Sequence, residues 1–132
     1  MTKTYTLLLL EDEPLILMDL ELAAIDRGCK VHTATNCSAA HDVLQQFGDE
    51  IDVAVLDVSL SAGCDCFPVA RELDQRKIPY ILHSGDLDRL DERIRLLDAE
   101  LIAKPAPTDK VIAAAIIRCE GPDPAGERIA AE

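Results

Sequence analysis

Short apolar runs alternate with longer amphipathic stretches along the chain, and this strand, helix, strand, helix rhythm predicts a parallel α/β sheet. Strands are expected at Tyr5–Leu10, Lys30–Ala34, Asp52–Leu56, Pro79–His83 and Leu101–Ala103. The first and third are nearly continuous apolar runs, as suits strands buried on both faces. Helices are expected near Pro14–Arg27, Ser38–Phe47, Phe67–Arg76, Leu87–Leu97 and Pro107–Arg118. The first helix gathers Leu15, Met18, Leu22 and Ile25 on one apolar face, starts with Pro14 in the first turn and meets Gly28 where a left-handed C-cap belongs. The last helix is apolar without a break from Val111 to Ile117, more than one sheet face covers, so a second buried side is required. A second copy of the chain, docked through that helix, is one candidate for it. From Gly121 to Glu132 there is no periodic apolar pattern, only prolines, glycines and charges, which predicts a flexible tail (residues 121–132) after a domain of residues 1–120.

A chain of 132 residues with 48% hydrophobic content has the size of one domain and needs no disulfide or metal to build a core. The formal net charge of −12, with no Lys/Arg stripe, excludes direct nucleic-acid binding and sets the chain against an anionic membrane surface. Cys29, Cys37, Cys64, Cys66 and Cys119 are odd in number and lack a CxxC spacing, so neither a disulfide framework nor a zinc site is indicated and reduced thiols are expected. The early apolar run Leu7–Leu10 is too short for a signal peptide or a membrane span, which points to the cytoplasm.

In open parallel sheets ligands bind beyond the carboxyl ends of the strands. Those ends carry Glu11, Asp12 and Glu13 after the first strand, Asp57 after the third, Ser84 and Gly85 after the fourth, and Lys104 and Pro105 after the fifth. Taken singly, the acidic trio could cap the helix at Pro14, Ser84 could be a turn residue and Lys104 a surface charge. Asp57 closes a buried apolar strand and needs a charge partner or solvent. Taken together, clustered carboxylates call for a hard divalent cation with oxygen ligands, Mg²⁺ being the natural choice. A hydroxyl and an ammonium opposite them complete a pocket for a tetrahedral dianion, with Asp57 as the nucleophile.

The ordered motifs Leu-Glu-Asp-Glu-Pro, Ala-Val-Leu-Asp57, Leu-His-Ser84-Gly and Ala-Lys104-Pro resemble the receiver domain of bacterial two-component response regulators over nearly the whole chain. The resemblance implies a flavodoxin-like, doubly wound five-stranded sheet of order 2-1-3-4-5. It also implies that Asp57 accepts a phosphoryl group from a sensor histidine kinase or phosphotransfer protein, with Mg²⁺ held by Asp12, Asp57 and the Ser59 carbonyl and reached by Glu11 through water. Lys104 would pair with the phosphoryl oxygens, on a Lys104–Pro105 peptide that is commonly cis in the family. Ser84 would relay the signal, and Ser59 with Asp86 would tune attack by water. Such a chain is a switch of protein contacts rather than an enzyme, with output to a downstream protein through the face of the fourth and fifth helices.

Two positions depart from the family pattern. Leu101 stands where many receivers carry a switching Tyr or Phe, and the loop Ser59–Phe67 lacks the usual proline and holds Cys64 and Cys66. Two other functions share part of this pattern. A receiver-like domain that binds partners without phosphorylation draws on the Leu101 departure. A Mg²⁺-dependent phosphohydrolase with an aspartyl-phosphate intermediate would need a second Asp at position 59, which is Ser. A Ser84–His83 hydrolase pair is set aside because strand neighbours face opposite ways.

Overall fold

The computed structural model describes residues 4–57, 67–84, 99–104 and 106–120. The elements run β1 (Thr6–Leu10), α1 (Pro14–Asp26), β2 (Lys30–Ala34), α2 (Cys37–Phe47), β3 (Val53–Asp57), α3 (Phe67–Arg76), β4 (Tyr80–Ser84), β5 (Leu101–Ala103) and α4 (Thr108–Glu120). The strands form one parallel sheet of order β2-β1-β3-β4-β5, so the doubly wound flavodoxin-like fold and its strand order are as expected. The helix expected at Leu87–Leu97, the tail from Gly121 and the loop with Ser59, Cys64 and Cys66 lie outside the described residues.

Every residue of β1 and β3 is buried, and the period of two along each strand splits the core into two layers. Leu8, Leu10, Ala54, Leu56, Tyr80 and Leu82 pack with Leu44 of α2 and Leu73 of α3 on one face. Leu7, Leu9, Val53, Val55 and Ile81 pack with Leu20 of α1 and Ile112 of α4 on the other. Burial on both faces is what permits runs of unbroken aliphatic residues in the central strands.

Helix α1 corrects one expectation. It buries Leu17, Leu20 and Ala24 against the sheet, whereas Leu15, Met18, Leu22 and Ile25 are 73, 48, 57 and 53% exposed. The helix is apolar nearly all round, so periodicity offers two stripes and cannot tell which one the sheet takes. Helix α4 answers the question its apolar run raised. Val111, Ile112 and Ala115 are buried and α4 also packs on α1 of the same chain, so an intramolecular neighbour supplies much of the second cover, with Ile117 left 67% exposed.

Cys37, the first residue of α2, is disulfide-bonded, while the thiol of buried Cys29 is not. The expectation of reduced thiols therefore fails at Cys37.

Helices α1 and α3 end in the same way on different residues. After α1, Gly28 adopts φ 82° while its N–H bonds to Ile25 O at 2.9 Å and Cys29 N–H bonds to Ala24 O at 3.0 Å, the paired bonds of a Schellman cap. After α3, Lys77 holds φ 61° with Lys77 N–H on Asp74 O and Ile78 N–H on Leu73 O. A β-carbon at Gly28 would meet nothing within 4 Å, so only backbone strain opposes it. Gly28→Ala is expected to cost about 1 kcal/mol, and Lys77→Gly to gain a similar amount. Thermal melts of the two variants should move in opposite directions by a few degrees.

Candidate functional site

Three parallel strands end at one place. β1 runs into Glu11 and Asp12, β3 ends on Asp57, and Lys104 follows β5 directly. Burial of the strands carries these groups inward: Glu11 and Asp57 are each 1% exposed. The Lys104 side chain, 17% exposed, places Nζ 3.1 Å from Glu11 Oε1 and 3.3 Å from Asp57 Oδ1, so one ammonium bridges two buried carboxylates from different strands. Asp12 is half-buried beside them, and Glu11, Asp12 and Asp57 each offer a carboxylate oxygen within 4.8 Å of the others.

Helix capping does not account for the acidic trio. Glu13, the N-cap of α1, makes no side-chain cap bond. Glu11 Oε2 accepts the Glu13 N–H at 3.2 Å and also faces Lys104 at 3.3 Å, which holds its carboxylate at the pocket.

Electrostatics follow from this crowding. Burial, then the hydrogen bond and charge of Asp57, push the Glu11 carboxyl up to about 7, against the pull of Lys104 and the Glu13 N–H. Burial alone would lower the Lys104 ammonium, but its bonds to Glu11 and Asp57 hold it above the ordinary lysine value. Among the described residues three carboxylates gather here with the Lys104 ammonium, and buried Glu11 Oε1 has the ion pair with Lys104 but no directed hydrogen bond. An all-oxygen, negatively charged donor set of this kind suits a hard divalent cation such as Mg²⁺.

The structure thus brings together Glu11, Asp12, Asp57 and Lys104 from the residues expected at the site. Ser84 closes β4 in register with Ala103 of β5, next to the strand of Asp57. Ser59, Asp86 and the Lys104–Pro105 peptide lie outside the described residues. Leu101, at the position of the family's aromatic residue, is half-buried against the layer of α2 and α3.

One residue at the site escaped the sequence reading. His83 pairs in register with Asp57 and is 3% exposed, on the face shared by α1 and α4. The signal in the sequence is a histidine directly after the run Tyr80–Leu82, but chain spacing relates it only to Ser84 and not to the neighbouring strand.

No protein-family model matches the sequence, and no curated protein matches it. Solved structures do. SdrG from Sphingomonas melonis Fr1 is 33% identical, with 89% of this chain and 100% of that one covered at a TM-score of 0.66. The BeF3-activated conformation of SdrG from Pseudomonas melonis Fr1 is 32% identical over the same shares at a TM-score of 0.67. A response regulator receiver protein from Sinorhizobium medicae WSM419 is 26% identical over 86% of this chain and 93% of that one, at a TM-score of 0.75.

Proposed function

The chain belongs to the response-regulator receiver family, whose members act as signalling switches rather than as catalysts, and from that premise we propose that it carries its signal as a phosphoryl group on Asp57. The observation that carries this reading is the meeting of Glu11, Asp12 and Asp57 with Lys104 at the carboxyl ends of β1, β3 and β5.

In this reading an oxygen of Asp57 forms the new P–O bond as the P–N bond of a donor phosphohistidine breaks, and the donor imidazole keeps the electron pair and takes up a proton. Lys104 moves from the carboxylates to the phosphoryl oxygens, which keeps the growing charge neutralised in a buried place. Asp12 and Asp57, with the Ser59 carbonyl, would hold Mg²⁺, with Glu11 reaching it through water. When bound, such a cation would supply positive charge against the repulsion between the carboxylates and a phosphoryl group. Ser84, beside Asp57 in the sheet order, binds a phosphoryl oxygen and passes the change on to the fourth and fifth helices of the sequence pattern.

The phosphodonor is a sensor histidine kinase or phosphotransfer protein. The exposed apolar stripe Leu15, Met18, Leu22 and Ile25 begins three residues after Asp12 and supplies a face on which it can dock. A downstream protein reads the phosphorylated form. Dimer formation through the last helix would rest on Ile117, and light scattering that finds a strict monomer with and without beryllofluoride removes it. No described helix is long and apolar enough to cross a membrane. The alternation, charge and motif order together support a cytoplasmic protein that does not touch nucleic acid.

The test is mass spectrometry of the protein incubated with acetyl phosphate and Mg²⁺, which should add about 80 Da, one phosphoryl unit, at Asp57. An unlabelled protein overturns the reading.

The charge balance also fixes a pH dependence. Glu11 ionises at about 7 in the folded chain against 4.5 as its ordinary value, so the folded state holds the extra proton between them. The metal-free protein therefore loses stability as pH rises through that window. Mg²⁺ competes with the same proton, so it should raise the Tm more at pH 8 than at pH 6. Equal shifts at the two pH values would place the cation elsewhere.

A further inference from the structure

His83 sits in β4 between Asp57 of β3 and Ile102 of β5, in register with both. Its neighbour on the same face, Ile81, belongs to the aliphatic layer of α1 and α4, and an aliphatic side chain at position 83 would continue that layer. The imidazole is instead 3% exposed with neither Nδ1 nor Nε2 hydrogen-bonded. A neutral imidazole carries one N–H donor and one acceptor nitrogen, and leaving both unmade in a buried place costs free energy. Burial and the charge of Lys104 hold the ring neutral, against the opposite pull of Asp57, so no ion pair repays that cost.

The resting chain therefore contains a buried donor beside the phosphoacceptor with nothing to donate to. We propose that His83 is a phosphoryl-binding residue: when Asp57 carries a phosphoryl group, the neutral ring donates its N–H to an oxygen of the aspartyl phosphate. Phosphorylation adds three acceptor oxygens next to the strand position that His83 occupies and draws Lys104 away from Glu11. The hydrogen bond missing at rest is made only in the loaded state, so the ring favours that state and ties β4 to it. Leu101 has no polar group with which to respond to the phosphoryl anion, and His83, one strand closer to Asp57, has. The inference rests on Asp57 as the phosphoryl acceptor.

The experiment compares the full chain with His83→Val and His83→Gln at pH 8, with beryllofluoride and Mg²⁺ as the phosphoryl mimic. Val removes an unsatisfied group, so the unliganded variant should melt higher than the wild type. It should also bind beryllofluoride roughly tenfold more weakly, the loss set by one hydrogen bond to a charged acceptor. Gln, which restores an N–H donor, should recover most of that affinity. In the wild type, the ring ¹⁵N signals of His83 should move on addition of the mimic. A residue that only packs the core would not raise stability and lower affinity in the same variant. Unchanged affinity in His83→Val, or immobile ring signals in a wild type that binds the mimic, overturns the inference and leaves Asp57 as acceptor. A wild type that neither binds the mimic nor takes the label from acetyl phosphate overturns both.

Discussion

Asp57→Asn should abolish phosphoryl uptake while the fold persists. The carboxamide is close to isosteric with the carboxylate but presents no anionic oxygen to attack phosphorus, so labelling by acetyl phosphate should fall by about a thousandfold or more. The expected effect on stability has the opposite sign. Its own burial, then the hydrogen bond and charge of Asp57, push Glu11 up to about 7, and removing that charge lets Glu11 ionise more readily beside Lys104. The metal-free variant should therefore melt above the wild type at pH 8, and Mg²⁺ should stabilise it less because one anionic ligand has gone. Were Asp57 only the structural partner of Lys104, Asn would instead lower the melting temperature and leave the response to Mg²⁺ alone. Intact labelling in the variant would move the acceptor to another residue.

The second large effect is expected at Lys104. Its ammonium lies 3.1 Å from Glu11 Oε1 and 3.3 Å from Asp57 Oδ1, both carboxylates being almost fully buried. Removing one partner of a buried ion pair costs more than the pair contributes, because the remaining charge stays desolvated. Lys104→Ala should lose about 3 kcal/mol at pH 8, or roughly 10 °C in Tm for a domain of this size. At pH 6 the loss should be smaller, since Glu11 takes up a proton and one of the two stranded charges disappears. Added Mg²⁺ should restore part of the stability but not the rate of phosphoryl uptake, which needs a cation on the transferred oxygens. Melts at the two pH values, with and without Mg²⁺, check each part, and a pH-independent loss would show that Lys104 does not balance Glu11.

How far the sequence discloses this arrangement differs from element to element. β1 and β3 are legible because strands buried on both faces must be apolar throughout, and the cap at Gly28 because a left-handed residue there favours glycine. Glu11, Asp57 and Lys104 are legible as charged residues that end apolar runs. α1 is not, because Leu15, Met18, Leu22 and Ile25 are as apolar as the residues the sheet buries, and only the packing chooses between the stripes. The pairing of His83 with Asp57 joins positions that chain separation does not relate. Pairing across strands, rather than spacing along them, is what puts a histidine next to Asp57.

The exposed stripe on α1 bears on how the isolated protein behaves as a colloid. Four large aliphatic side chains on one helix would draw copies together, yet each copy carries a formal charge of −12, and mutual repulsion at low salt keeps them dispersed. Screening shortens the reach of that repulsion to about 8 Å at physiological ionic strength. Solubility should thus decline as salt is added or as pH approaches the isoelectric point near 4.5, and Leu22→Ser on the stripe should relieve the decline without touching the pocket of Glu11, Asp57 and Lys104.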